Sequence, residues 1–553
     1  MEPGSWLLPV VPAEWVPQNG VDVRDEAVRP QFRLLASGPR SRSCYPEGMN
    51  FRALIFILMP SLLAAQSVAE LQKSFEKKVT EFTLANGLHF IVIERHDAPV
   101  VSFHTYVNVG SVDDPGGETG LAHMFEHMAF KGTPSIGTRN WPAEKAAMDA
   151  VEKVYDRLDA ERNKGPHADP KKMAAIANEL AAAMEKADSY VEPNEYDRVV
   201  ESNGGQDMNA STAEDSTNYF YSFPSNRIEL WFLLESSRFL NPVFREFYKE
   251  RDVVREERRM RVESSSQGKL IEALAATAYA AHPYRNMPGG WASDIDHFRR
   301  PDAEKFYRQY YVPANITLGI AGDVNPVEAR RLAEKYFGRL TTRPLPSQYR
   351  TVEPVQEGEK IAAVSSPAQP FVIIAYKRPD RHSPDDAALA VLDAVLSDGR
   401  TGIIYKDMVR DKQIALGAGS DAEFPGGKYP SLFLFYVAPS SGHTSEENEK
   451  ELDRIIQQVK TTKVDEETLQ RVKTKLRAGL IRKLDNNAGL ASELCSYYVN
   501  YGDWRKLFTE LDEYNKITAD DVQRVANTYL VKEHRTVAYT YVPDAGLDKE
   551  GAK

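Results

Sequence analysis

His123, Glu126 and His127 stand in the segment Leu121-Ala-His-Met-Phe-Glu-His-Met, a spacing that suits a metal site carried on one helix. Positions i and i+4 share a helix face, so two imidazoles four apart can reach one cation. Glu126 precedes the second histidine on the same side, where it can take a proton from a zinc-bound water and pass it to a leaving amine. The order H-x-x-E-H mirrors the HExxH of many zinc peptidases. Only two cysteines occur, Cys44 and Cys495, which excludes a disulfide framework and a cysteine-rich zinc site. Cys495 reads as a small buried hydrophobe in a helix.

Catalytic zinc takes three protein ligands and keeps one position open. The stretch 247–260 offers Glu250, Glu256 and Glu257. Glu250 and Glu257 lie two helical turns apart and share a face with Val253 and Val254 on or near it. A carboxylate buried there needs a partner, and a cation would be one. Taken alone, the same segment reads more simply as a solvated charged face.

The elements that must position these groups follow from pattern. Residues 80–94 read as a hairpin turned at Asn86-Gly87, 99–109 as a third strand, and 110–120 as a turn-rich loop before a helix that opens at Leu121. Residues 143–164 and 170–190 read as a helical hairpin broken by Gly165-Pro166, an insertion over 141–196. Strand character returns over 209–223, and 227–240, 246–264 and 270–280 read as helices. The proline-rich stretch 341–360 reads as an interdomain linker. A faint repeat joins 301–311 plus 316–321 to 519–529 plus 535–539. Asp302 matches Asp520 and Tyr311 matches Tyr529, which points to two halves of one α/β design.

The chain has 553 residues and a net charge of −11, long enough for two to four domains and too acidic for a general nucleic-acid binder. Met49, Arg52 and the apolar run 53–65 have the layout of a secretory signal peptide. Translation is therefore expected to start at Met49, with 1–48 an untranslated or disordered extension and the mature protein periplasmic or secreted. No other stretch approaches membrane-spanning length.

With these residues in place, the segment 110–133 resembles the signature of the pitrilysin family, which includes insulysin and the mitochondrial processing peptidase. Glu250-Arg-Asp-Val-Val-Arg-Glu-Glu257 resembles the family's second motif, and the match implies Glu257 as third zinc ligand with Glu250 as supporting acid. Asn209-Ala210-Ser211 resembles the edge-strand segment that pairs with bound peptide, and His282-Pro-Tyr and Trp291-Ala-Ser-Asp294 also fit. The resemblance covers about 79–542. It implies an α+β fold of two homologous α/β domains, each a mixed, mainly antiparallel sheet packed with helices. The zinc-binding domain would span 72–340 and the second domain, without a zinc motif, 361–545. It also implies one Zn²⁺ per chain and a substrate that is an extended peptide or unfolded protein.

The sequence departs from the family twice. The insertion separates His127 from Glu257, and as a self-contained hairpin it is expected to project without disturbing the site. Active members also use an Arg and a Tyr seven apart to hold substrate and the developing oxyanion. Here Arg410 is present, but Gly417 stands at the tyrosine position and cannot donate that hydrogen bond. A second family member, in a hetero- or homodimer, would supply the pair. The alternative is a non-catalytic assembly or binding subunit of the same family.

Overall fold

The computed structural model describes residues 68–367 and 370–542; the extension 1–48 and the leader expected at 49–65 lie outside them. A first sheet holds β1 (Val79–Thr83), β2 (His89–Glu94), β3 (Val100–Val107), β4 (Gln206–Thr212), β5 (Thr217–Pro224) and β6 (Ile316–Gly322), ordered β1-β2-β6-β3-β5-β4. Asn86-Gly87 turns the β1–β2 hairpin, with Gly87 at φ 95°, a conformation glycine enters without a Cβ penalty. A second sheet holds β7 (Lys360–Ser365), β8 (Val372–Arg378), β9 (Ala415–Phe424), β10 (Ser431–Pro439) and β11 (Arg535–Tyr541), ordered β7-β11-β8-β10-β9.

Apart from β1, the two sheets share one topology. β2 runs parallel to β6 as β7 does to β11, and three antiparallel pairings follow in each. The helices Arg300–Tyr310 and Ala519–Tyr529 each lead into the strand that lies between the parallel and the antiparallel partner, β6 or β11. The weak sequence repeat is thus a repeat of structure, and the chain is two homologous α/β domains.

The helices that matter for the site are α1 (Leu121–Met128), α2 (Trp141–Arg162), α3 (Pro170–Asp188), α4 (Glu195–Ser202), α5 (Phe247–Arg258), α6 (Ser266–Ala278) and α7 (Asn487–Tyr501). No helix among the described residues is long and apolar enough to cross a membrane. The helix expected over 246–264 is α5 to Arg258, widened into a π-helical turn over Arg259–Glu263.

The domains exchange helices. α7, from the second half, lays Leu490, Ala491 and Leu494 on Ile91, Ile93 and Ala321 of the first sheet. In return α6 packs on β7 and β11 of the second sheet, joining Leu270 and Leu274 to a cluster with Ala362 and Ala538. The stretch read as a linker, which has no helix or strand before β7 opens at Lys360, thus lies between two halves whose helices pack on each other's sheets. Cys495 is fully buried in α7, as its sequence context predicts. α7 lies so close to β6 that a Cβ at Gly319 would sit 2.5 Å from the Ala491 carbonyl oxygen and 2.8 Å from Cys495 Sγ. Gly319→Ala is expected to lower stability by about 1–3 kcal/mol, the usual cost of overpacking. A thermal melt reads it, and an unchanged Tm would mean that α7 yields freely.

The insertion departs from expectation. α2 and α3 form the predicted hairpin, capped by Asn140 and Asp169, yet α2 does not stand clear of the site. It buries Met148, Val151 and Tyr155 together with the carboxylates Glu144 and Glu152, a stripe that needs a partner. That partner is α5 and the residues entering it. Tyr155 stacks on Tyr248 at 4.3 Å, Tyr248 donates to Glu152 at 3.0 Å, and Arg251 donates to Tyr155 at 2.8 Å. α3, with only Ile176 and Ala187 buried, is the solvent-facing arm.

Candidate active site

α1 opens at Gly120, whose φ of 94° favours glycine. The Asp114 carboxylate accepts from the N–H groups of Gly120 and Ala122 at 2.7 and 2.8 Å, satisfying donors that a helix start leaves open. Thr119 donates to Asp294 at 2.7 Å and accepts from Trp291 N–H at 2.9 Å. The Trp291–Asp294 segment thus anchors the loop that begins the motif helix.

Leu121, Ala122, Met124, Phe125 and Met128 sink α1 into the core. That orientation brings His123 and His127 against α5 and Glu126 against β4. His123 Nε2 and His127 Nε2 are 3.2 Å apart, and Glu257 Oε2 lies 3.6 Å from the first and 3.5 Å from the second. A tetrahedral zinc about 2.0–2.2 Å from each ligand would hold neighbouring ligand atoms about 3.4 Å apart. The triangle fits that ion. Among the described residues, these three form the only group of His, Cys, Asp or Glu close enough to hold a metal.

A second layer orients the first. Glu250 Oε2 lies 3.4 Å from His127 Nδ1, the place of the carboxylate that fixes a metal-binding imidazole. Lys131 pairs with Glu250 and, at 3.2 Å, with Glu246, and Arg261 meets Glu257 Oε1 at 2.6 Å. Thr212 donates to Glu126 Oε2 at 2.5 Å. Sequence reasoning passed over Lys131, Arg261 and Thr212. The first two stand one helical turn beyond His127 and Glu257, a signal that helical spacing offers; Thr212 shares the inward side of β4 with Ala210.

The electrostatics of this cluster follow from burial and pairing. Burial raises the Glu126 carboxyl above its ordinary value, against the opposing Thr212 hydrogen bond. Burial, with His127 beside it, drops His123 to about 3. For His127, burial pulls downward, but donation to Glu250 and Glu257 prevails and lifts it to about 9. Burial would raise Glu250 and Glu257, yet their partners hold both at about 2: His127 and Lys131 for Glu250, the two histidines and Arg261 for Glu257. Without metal, His127 therefore keeps a proton at neutral pH that a cation must displace. Zinc affinity is expected to rise about tenfold per pH unit from neutrality up to about pH 9 and level off above it. Calorimetry at pH 7 in buffers of different ionisation enthalpy would count one proton released per zinc; a pH-independent affinity would contradict the assignment.

Beside Glu126 and His127 lies a cavity of about 220 Å³, walled by Asn209 and Ala210 of β4, Phe130, Val253, and Val191 and Tyr196 from the end of the insertion. β4 is the last strand of its sheet. Ser211 faces the other way, as strand alternation requires, into a polar cavity between the domains. Asn209 and Ala210 thus line the cavity beside Glu126 and His127, whereas Ser211 lines the cavity between the domains. Arg410 is not brought there either. It lies half-exposed in a π-helical turn, Tyr405–Asp411, paired with Asp411, and every residue lining the cavity beside the cluster comes from the first half. Gly417, on the outer strand β9, has open space where a side chain would stand.

Residues 90–154 and 163–287 match the family model for insulinase, peptidase family M16, and residues 297–476 match that for the peptidase M16 inactive domain. The chain belongs to peptidase family M16. The zinc protease PqqE of Helicobacter pylori is 26% identical to it, over 84% of this chain and 94% of that protein. The probable mitochondrial-processing peptidase subunit beta of Arabidopsis thaliana is 22% identical, over 82% of this chain and 76% of its own length. The crystal structure of a protease from Helicobacter pylori has a TM-score of 0.70 at 26% identity, covering 84% of this chain and 99% of that one. The first half of the periplasmic protease PqqL from Escherichia coli has the same fold, with a TM-score of 0.62 at 16% identity over 84% and 92% of the two chains. The complete PqqL chain is covered over 48% of its length. This M16 chain thus carries its HxxEH motif within the matched insulinase domain, and the matched inactive domain begins beyond Glu257.

Proposed function

We propose that this chain is an exported zinc endopeptidase acting on extended peptide segments, and that it is the catalytic half of a two-part enzyme. The observation that carries the reading is the triangle of His123, His127 and Glu257 beside an edge strand, with Glu126 on the same helix face. Those three residues would hold the ion. Zinc, when bound, supplies Lewis acidity that polarises a carbonyl and acidifies adjacent water.

The protein's own groups do the rest. Glu126, its carboxyl raised by burial and held by Thr212, accepts a proton from the attacking water and delivers it to the leaving amine as the C–O bond forms and the C–N bond breaks. β4 takes the peptide as an added strand, so backbone hydrogen bonds dominate recognition. The cavity beside Asn209 and Ala210 receives a side chain next to the scissile bond. Glu250 keeps the His127 ring oriented.

The partner half is inferred from Gly417, from the remote position of Arg410, and from the fact that the full PqqL chain is twice the length matched here. Export rests on the leader-like 49–65 and on the periplasmic name of that fold neighbour. The intact His123, Glu126, His127 and Glu257 weigh against a non-catalytic subunit. The test is purification from the native host and assay of an unstructured peptide with and without any co-purifying chain. Expected is chelator-sensitive hydrolysis that is strong only with the second chain. Full activity of the isolated monomer would refute the two-part reading, and no hydrolysis by the zinc-loaded pair would refute the peptidase reading.

A further inference from the structure

We propose that Arg245 is a positioning residue for the metal centre, through which the helical insertion fixes the spacing of the two helices that carry the ligands. The inference rests on the zinc reading above. Arg245 stands two residues before α5 and is 1% exposed. Nε donates to Glu144 Oε1 at 2.7 Å. Nη2 donates to the Thr133 carbonyl at 2.8 Å and to Glu144 Oε2 at 3.5 Å. Nη1 donates to the Ile136 carbonyl at 2.9 Å and to the Lys131 carbonyl. A guanidinium has five N–H groups in a rigid fork, and all five are engaged here.

The acceptors come from two places besides the entry to α5 where Arg245 itself sits. Three are carbonyls of the loop that leaves α1, and the other two are the oxygens of Glu144 in the first turn of α2, itself fully buried. The loop is shaped to the guanidinium. Gly132 and Gly137 have φ of 83° and 88°, and a Cβ on either would come within 2.9 or 2.5 Å of Nη1. From the same loop Lys131 reaches Glu250, which faces His127 Nδ1. One path therefore runs from Arg245 through Lys131 and Glu250 to His127, and another runs along α5 to Glu257. Lysine, a point charge with three donors, cannot hold these segments in one plane.

The insertion is on this account an anchor of the active site: Glu144 neutralises the guanidinium, and α2 supports the start of α5 through Tyr248 and Arg251. Its test uses the full purified chain, zinc affinity from chelator competition well below the melting temperature, and circular dichroism as the check on folding. Arg245→Lys keeps the charge opposite Glu144 and loses the fork. The double variant Arg245→Met/Glu144→Leu removes both charges together, so neither is left buried alone. Both are expected to bind zinc about 10- to 100-fold more weakly, the usual effect of disturbing an outer layer, with native-like spectra and with kcat recovering as zinc is raised. Arg157→Ala, which breaks an exposed pair with Glu179 further along the same hairpin, is expected to leave zinc affinity unchanged. A folded variant of either kind with wild-type zinc affinity would overturn the proposal alone. A wild-type chain that takes up no zinc would overturn the zinc reading and this inference with it.

Discussion

Glu126→Gln is expected to leave zinc bound and to lower peptide turnover by about two to four orders of magnitude, the range that general acid–base catalysis contributes. The substitution keeps the size of the side chain and an oxygen that can still accept from Thr212. It removes only the ability to take a proton. His123, His127 and Glu257 keep their mutual distances, so metal content and KM should change little. The loss should therefore appear in kcat, measured on a fluorogenic peptide at fixed free zinc. Turnover retained in a zinc-loaded Glu126→Gln protein would mean that another group is the base.

Glu257→Gln is expected to strip the metal. An amide oxygen is a poor substitute for a carboxylate at zinc, and the change also leaves Arg261 without the anion it meets at 2.6 Å. The loss of zinc affinity should exceed the roughly 10- to 100-fold that outer-layer substitutions cost, and hydrolysis should vanish with the metal. Glu250→Gln is the informative control. Its carboxylate lies at Nδ1 of His127, whereas Glu257 lies 3.5 Å from Nε2, so it should weaken zinc binding and not abolish it. Metal content after dialysis against buffered zinc separates the two. If Glu250→Gln lost the ion and Glu257→Gln kept it, the roles of the two acids would be exchanged.

Much of this site could be read from the sequence because its first parts are local. His123, Glu126 and His127 need only the helical period to share a face, and α1 forms where the pattern places it. Glu257 is different: charge spacing alone left Glu250, Glu256 and Glu257 open, and family resemblance singled one out. The geometry now distinguishes Glu250 from Glu257 by the nitrogen of His127 that each faces, and leaves Glu256 on the surface against Arg259. The hairpin insertion was legible as two helices but not in its docking. Glu144 and Glu152 look like solvent-side residues of a charged helix until Arg245 and Tyr248 are brought to them by the fold. The exchange of α6 and α7 between sheets was hidden for a similar reason, since an apolar helix face does not say which sheet it will cover. Arg410 lies away from the cavity, in a turn of the second half where it pairs with Asp411, a placement that sequence spacing does not show.

His123, His127 and Glu257 are proposed to hold one zinc ion together. Anomalous diffraction from crystals of the zinc-loaded protein, recorded on both sides of the zinc absorption edge, tests it directly. One strong peak per chain is expected, about 2.0–2.2 Å from Nε2 of each histidine and from a carboxylate oxygen of Glu257. A peak held by other residues, or a protein whose zinc-soaked crystals show none at this triangle, would contradict it.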